Sequence, residues 1–276
     1  MSRDLAQRLL TAALLIPLFS MIVLKLPTFY FSLLIALVVF VATWEWGKLV
    51  QLSPAAWTIF ILVVAATAGL VTADKITPSE TRIICFAAMV WWVAAAVWVI
   101  RFRANVPQII SPWRGLIAGC LVLLPSFISL SAIHRQMVSG PGYVLFLFYM
   151  IWAADSGAYF MGRRMGRHKM APEVSPGKTW EGLAGGLMAA VTVAVIGGGL
   201  LGLSRSAMLW FVPLCVFVML VSVIGDLLES LFKRNAGVKD SGRILPGHGG
   251  AMDRIDSITA AAPAFYLGLS LFKWPT

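Results

Sequence analysis

The chain has 276 residues, of which 59% are hydrophobic and only 12% are charged, and its mean hydropathy is +0.86. About a quarter of the residues of a soluble domain are charged, so this composition excludes a water-soluble fold, a disordered chain and a disulfide scaffold, and it predicts a membrane-embedded protein. The net charge of +10 favours membrane lipids with anionic headgroups and anionic substrates as partners, and no nucleic acid.

Apolar runs divide almost the whole chain into predicted membrane spans, because a span must cross about 30 Å of hydrocarbon. The predicted fold class is an all-α integral membrane protein with about nine transmembrane helices, in a single polytopic membrane domain over residues 1–276. The apolar runs are 9–24, 29–43, 57–71, 83–100, 116–133, 143–160, 182–203, 208–228 and 258–272.

Two connections are longer than the others and hold most of the charged residues, namely 161–181 and 229–257. With a cytoplasmic N-terminus, both long loops and a large majority of the 22 Lys and Arg residues fall on the cytoplasmic side, as the positive-inside rule requires. No small-residue cleavage site follows the first run, so we expect that run to be retained. We therefore expect the chemistry at these two cytoplasmic loops and the helix ends beside them.

The middle loop joins the sixth and seventh spans. Asp155 and Tyr159 share one face of the sixth span. Ser175, Lys178 and Thr179 place two hydroxyls and an ammonium at the start of the seventh span, and helix starts bind anions; a simple helix cap is the alternative. The string GKT is not a P-loop, because the first glycine of that motif is replaced by proline and no strand is predicted before it.

The end of the eighth span carries charged residues at helical spacing. Asp226, Glu229 and Lys233 recur at steps of three and four residues and share one face of the helix. A carboxylate at the end of a span usually faces a cavity or a partner. An interfacial helix with a Glu229–Lys233 pair explains this pattern as well as a functional site does.

The last loop combines glycines with two acids. Gly249 and Gly250 belong to a glycine-rich stretch that lets backbone amides approach a ligand closely. Asp253 and Asp256 project together from the start of the ninth span, where helix capping is the simpler alternative. Asp226 and Asp253 end two antiparallel spans on the same membrane side, and paired carboxylates together with substrate phosphates suit Mg²⁺.

Basic side chains of the same segment would neutralise phosphate oxygens; they are Lys233, Arg234, Lys239 and Arg254. The segment 230–257, SLFKRNAGVKDSGRILPGHGGAMDRIDS, resembles the signature of the phosphatidate cytidylyltransferases, also called CDP-diacylglycerol synthases. Every fixed position of that signature is present, and Ala251 stands where a larger apolar residue is common. The string SPGKTWEG at 175–182 resembles the second motif of the same family.

The resemblance implies that CTP and phosphatidate react to give CDP-diacylglycerol and pyrophosphate at the cytoplasmic face of a bacterial inner membrane. It implies catalytic roles for Asp226, Asp253, Asp256 and Lys233, with Mg²⁺ held by Asp226 and Asp253. It implies that the substrates are bound by Ser175, Lys178, Thr179, Arg234, Lys239, Asp240, His248, Gly249, Gly250 and Arg254. His248 has only a supporting role here, because the attacking phosphate is already ionised. A monovalent cation such as K⁺ and a homodimer are compatible with the family.

Two other functions compete with this interpretation. A CTP-dependent polyprenol kinase-like enzyme would use the same nucleotide as a phosphoryl donor. A transporter of an anionic solute would place its site near the bilayer midplane, often between inverted repeats. Here the charged residues gather at one membrane face and no repeat is evident, which disfavours transport.

Overall fold

The computed structural model describes residues 16–103, 110–136, 139–242 and 249–271. Within these ranges the chain forms nine helices and one small hairpin. The helices are α1 (Ile16–Lys25), α2 (Thr28–Leu49), α3 (Pro54–Thr72), α4 (Pro78–Arg101), α5 (Pro112–Gln136), α6 (Gly140–Met165), α7 (Trp180–Leu200), α8 (Arg205–Asn235) and α9 (Met252–Leu271). The hairpin strands are β1 (Lys169–Ala171) and β2 (Ser175–Thr179).

The all-α membrane fold predicted from the sequence is confirmed. Seven of the described helices, α2 to α8, are long and apolar enough to cross a membrane. Helix α1 is shorter, and α9, although it has 20 residues, is not among the seven. The helices extend beyond the predicted apolar runs, because the polar residues that follow a run can continue the backbone hydrogen bonds of the helix. As a result α6 continues to Met165 and α8 to Asn235, and both functional loops are shorter than predicted.

Side-chain hydroxyls define the starts of several helices. Ser53, Thr77, Thr179 and Ser204 are the N-caps of α3, α4, α7 and α8, and each accepts a hydrogen bond from a backbone amide of the first turn. Such caps satisfy amides that have no partner within the helix. These caps start the four helices two to five residues before the predicted apolar runs.

The centre of the bundle is formed by α5 and α9. In α5, 78% of the span is buried, against 22–33% in α2, α3, α4 and α7. Helix α9 packs against α8, α5 and α4, and its Ala260, Ala261 and Ala262 are fully buried. Large apolar side chains of the outer helices, such as Ile83 and Phe86, remain uncovered, as expected for surfaces that contact lipid.

Small residues bring α6 and α7 into close contact. A Cβ atom added at Gly157 would lie 2.6 Å from the carbonyl oxygen of Gly185, and one added at Gly186 would lie 3.0 Å from that of Ala154. Small residues at such spacing let helix backbones approach closely in membranes. The close contact between α6 and α7 forms one side of the pocket described below.

The hairpin between α6 and α7 was not predicted from the sequence. β1 and β2 pair antiparallel, and the amide of Trp180 donates to the carbonyl of His168 at 3.0 Å. The Glu181 carboxylate accepts from the amides of Arg167 and His168 at 3.1 and 3.2 Å. The prediction that no strand precedes the GKT string is therefore wrong, although the missing glycine and the antiparallel pairing still exclude a P-loop.

Contacts between helix termini define one end of the bundle. Arg135 pairs with Asp74, and Nδ1 of His134 lies 2.9 Å from Oγ1 of Thr28. The ends of α3 and α5 therefore lie beside the start of α2. The functional loops lie at the other end of the bundle, beside Glu45 near the end of α2.

Candidate active site

A pocket of about 390 Å³ opens between α6, α7, α8 and the hairpin. Its polar lining comes from α6, β2, α8 and α9, whereas α7 contributes Gly182 and Leu183. The polar residues that line it are Asp155, Tyr159, Ser175, Lys178, Thr179, Asp226, Ser222 and Ser257. Apolar side chains, among them Leu183, Met219 and Val223, form much of the remaining wall. The pocket therefore offers charged groups beside a surface suited to lipid.

An ion pair between the middle loop and α8 lies in this pocket. Nζ of Lys178 is 2.7 Å from Oδ2 of Asp226, and the Ser230 hydroxyl donates to Oδ1 of Asp226 at 3.3 Å. Both charged side chains are partly exposed, at 23% and 31%. The carboxylate of Asp155 lies within electrostatic range of both groups. Two carboxylates therefore share one lysine at the pocket wall.

The threonine after Lys178 is a helix cap. Oγ1 of Thr179 accepts from the amide of Gly182 at 3.1 Å, so Thr179 caps α7, and its side chain is buried. Ser175, at the start of β2, also lines the pocket. The alternative considered from the sequence, a helix cap, holds for Thr179, while Lys178 points at a carboxylate.

A second cluster lies around Lys233 near the end of α8. Nζ of Lys233 is 2.7 Å from Oε2 of Glu229 and 2.6 Å from Oδ1 of Asp253. The predicted Glu229–Lys233 pair is present, but it is buried, with no exposed area on the Glu229 side chain. Oε1 of Glu229 has no hydrogen-bond partner among the described residues. The negative charges of Asp226 and Asp253 both act on Glu229, so it lies between the two clusters.

Asp253 also holds the last loop in place. Its Oδ2 accepts from the amide of Ser241 at 2.9 Å, from the Ser241 hydroxyl at 2.9 Å and from the amide of Gly250 at 2.8 Å. Gly249 adopts a φ of +80°, a conformation that glycine adopts without strain. The Gly250 amide therefore donates its hydrogen bond to Asp253, a carboxylate of the protein itself.

Asp256 connects the two clusters from the first turns of α9. Its Oδ1 accepts from the amide of Ser257 at 2.7 Å, and the charges of Asp226, Glu229 and Lys178 act on it. Asp253 therefore contacts Lys233 of α8, and Asp256 lies within electrostatic range of Asp226 and Glu229 of the same helix.

The other predicted substrate-binding residues lie around this centre. Nε of Arg234 donates to the carbonyl of Val174 at 3.2 Å, which connects the end of α8 to the hairpin. Lys239, Asp240 and Arg254 are exposed. His248 lies outside the described residues.

Two carboxylates at the site were missing from the predicted set. Asp155 was noted only for its helix face. Glu45 near the end of α2 accepts from the amides of Ala251 and Met252 at 3.0 and 2.8 Å. Its one signal in the sequence is an acid between two tryptophans at the end of a predicted span, where a carboxylate usually has a partner.

The donor set suits a hard cation. Carboxylates outnumber ammonium groups in the two clusters, and one buried oxygen of Glu229 has no partner among the described residues. In the ranges that the structure describes, no group of three or more histidine, cysteine, aspartate or glutamate side chains is arranged to hold a metal ion. Mg²⁺ usually keeps several waters and binds through one or two carboxylates plus substrate phosphates, so this arrangement fits Mg²⁺ arriving with a nucleotide. Asp226 and Asp253 are held by different lysines, Lys178 and Lys233.

Comparison with known proteins gives one consistent result. The sequence profile of the cytidylyltransferase family matches residues 6–272. The chain is 39% identical to the phosphatidate cytidylyltransferase of Pseudomonas aeruginosa over 98% of both chains. It is 34% identical to that of Haemophilus influenzae, over 95% of this chain and 97% of the relative. It is 39% identical to that of Brucella melitensis, over 71% and 79%.

Proposed function

The chain belongs to the cytidylyltransferase family and is a nucleotidyltransferase, and we propose that it transfers the cytidylyl group of CTP to phosphatidate. The products are CDP-diacylglycerol and pyrophosphate. The observation that carries the proposal is the Lys178–Asp226 pair in a pocket with apolar walls, because the reaction needs cations for phosphates beside a surface for acyl chains.

The reaction is an in-line displacement at phosphorus. An oxygen of the phosphatidate phosphate forms a bond to the α-phosphorus of CTP. The bond from that phosphorus to the oxygen that bridges the α- and β-phosphates breaks, and pyrophosphate leaves with this oxygen. Both reactants are polyanions, so their mutual repulsion is the main obstacle. Positioning and electrostatic stabilisation supply most of the catalysis in phosphoryl chemistry of this kind.

The lysines supply this stabilisation at two places. Lys178 is held at the pocket wall by Asp226 and would bind a substrate phosphate there. Lys233 is held by Glu229 and Asp253 and would offset the negative charge of the second cluster. Arg234, Lys239 and Arg254 would bind the outer phosphates of CTP, because they carry positive charge at the same end of the bundle. The lipid would enter sideways along Leu183 and Met219 of the pocket wall.

We propose that Mg²⁺ completes the site, held by Asp226 and Asp253 and oriented by Asp256. When bound, such an ion neutralises phosphate charge and polarises the reacting phosphorus. The surplus of carboxylates supports this assignment, and so does the Glu229 oxygen that has no hydrogen-bond partner within the described part of the chain. The site would face the cytoplasm of a bacterial inner membrane, because CTP is made there and the basic residues gather on that side.

Doubly labelled CTP tests the proposed reaction. Purified protein in detergent receives phosphatidate and CTP that carries tritium in the cytosine ring and ³²P at the γ-phosphate. The proposal requires tritium in the lipid and ³²P in pyrophosphate. Lipid ³²P with tritium in CDP would instead indicate the polyprenol kinase-like alternative when polyprenol is supplied. Diacylglycerol, which lacks the attacking phosphate, is the matched control and should accept neither label.

A further inference from the structure

Glu45 is a buried carboxylate in a helix that is largely apolar. It lies near the end of α2, and only 2% of it is exposed. Burying a charge without partners is strongly unfavourable. Among the described residues no lysine, arginine or histidine forms an ion pair with Glu45. Hydrogen bonds must therefore stabilise the carboxylate.

These hydrogen bonds all come from the last loop and the start of α9. Oε1 accepts from the amide of Ala251 at 3.0 Å, and Oε2 accepts from the amide of Met252 at 2.8 Å. The hydroxyl of Ser241 lies 3.2 Å from Oε2. The amides at the start of a helix have no intrahelical partner and carry partial positive charge. Glu45 therefore caps α9 from a different helix.

The loop is shaped to fit around this carboxylate. A Cβ atom added at Gly250 would lie 2.5 Å from both carboxylate oxygens of Glu45, and one added at Gly242 would also collide with Oε1. Any larger residue at either position would displace the loop from Glu45. Two glycines of the loop are therefore explained by contact with Glu45.

One hydroxyl connects Glu45 to the second cluster. Oγ of Ser241 lies 3.2 Å from Oε2 of Glu45 and 2.9 Å from Oδ2 of Asp253. The neighbouring Trp46 packs its ring 4.6 Å from that of Phe232, the residue before Lys233. The end of α2 therefore contacts α8 next to Lys233 and contacts the last loop next to Asp253.

We propose that Glu45 is a positioning residue for the reaction, because it fixes the start of α9 so that Asp253 meets Lys233. It contacts the loop rather than the pocket, so it acts through Asp253 and not on a substrate. The proposal rests on the function proposed above, because only then does the position of Asp253 affect catalysis.

Glu45→Gln separates this role from general stability, because glutamine keeps the shape but replaces one acceptor by a donor. Two quantities are measured in detergent: hydrogen exchange of the amides in residues 249–253, and kcat and KM for CTP. Loss of a hydrogen bond to a charged group predicts exchange that is about 10- to 100-fold faster and kcat lower by a similar factor, with KM changed less than about threefold. Glu80→Gln, in the exposed cap of α4, is the control and should change neither quantity.

Unchanged exchange in Glu45→Gln would overturn the proposal, and so would a fall in kcat no greater than that of Glu80→Gln. If Glu45→Gln does not fold, Ser241→Ala receives the same measurements. It removes only the hydroxyl bridge and should show the same pattern at smaller size; no change in exchange or kcat would count against the proposal. Because exchange needs no turnover, a wild-type protein that makes no CDP-lipid would refute the proposed function while exchange still tests the contact.

Discussion

Lys178 and Asp226 form an ion pair across the pocket, with Nζ and Oδ2 2.7 Å apart. One residue comes from the hairpin after α6 and the other from α8, so the pair connects the hairpin to α8. Exposed ion pairs contribute little to stability, and both side chains are partly exposed. The pair therefore matters more for the position of the ammonium than for the fold.

Lys178→Gln should reduce kcat/KM for CDP-lipid formation about 10- to 100-fold, because a charged hydrogen bond to phosphate contributes about 1.5–3 kcal/mol. The substitution also leaves Asp226 and Asp155 without the shared positive charge, which would repel an anionic substrate. Initial rates with varied phosphatidate measure the effect. Lys169→Gln, at an exposed position of the same hairpin, is the matched control. Equal rates for the two variants would show that Lys178 does not bind a phosphate.

Asp253→Asn should abolish Mg²⁺-dependent CDP-lipid formation and leave the protein folded in detergent. The substitution removes a negative charge from the second cluster and one acceptor from the loop. Lys233 keeps its Glu229 partner at 2.7 Å, so its charge does not lose all compensation and the helices should stay packed. Activity and the thermal unfolding temperature are measured on the same sample. Turnover like that of the wild type would remove Asp253 from the catalytic set.

Sequence patterns predicted the helices because their signals are local. A long apolar run is contained within one segment of the chain, so it can be recognised without knowledge of the fold. The polar face of α8 was also predicted, since it follows from helical spacing alone. The short hairpin was not predicted, because strands of three and five residues with two prolines and a glycine nearby give no alternating pattern.

Candidate site residues could be named from the sequence only in the two loops and at the helix ends beside them. Glu45 could not be assigned a role, because its partners Ser241 and Met252 are remote in sequence and meet it only after α2 packs beside α9. The sharing of Lys178 by Asp155 and Asp226 depends in the same way on how α6 and α8 meet. Spacing also could not show that Asp253 is already bound by Lys233, Ser241 and Gly250.

Gly185→Val should destabilise the protein by separating α6 from α7. A Cβ atom added at Gly185 would lie 2.6 Å from the carbonyl oxygen of Gly157 and would also collide with Met161. Inserting carbon atoms into a packed interface costs about 1–3 kcal/mol, so the unfolding temperature in detergent should fall by several degrees. Gly199→Val in the same helix is the control, because nothing lies within 4 Å of its added Cβ atom. Equal unfolding temperatures for both variants would contradict the close packing at Gly185.

Removal of divalent cations tests the proposed role of Asp226. Chelation with EDTA should stop CDP-lipid formation, and added Mg²⁺ should restore it, because the carboxylates of the two clusters outnumber the lysines that neutralise them. Asp226→Asn should raise the Mg²⁺ concentration for half-maximal rate at least about tenfold, since a ligand loses its charge. Asp74→Asn is the control, because Asp74 pairs with Arg135 at the other end of the bundle. Its backbone φ of +55° is one that asparagine also adopts. A Mg²⁺ requirement that shifts equally in both variants would place the ion away from Asp226, and full activity in EDTA would exclude a divalent ion from the reaction.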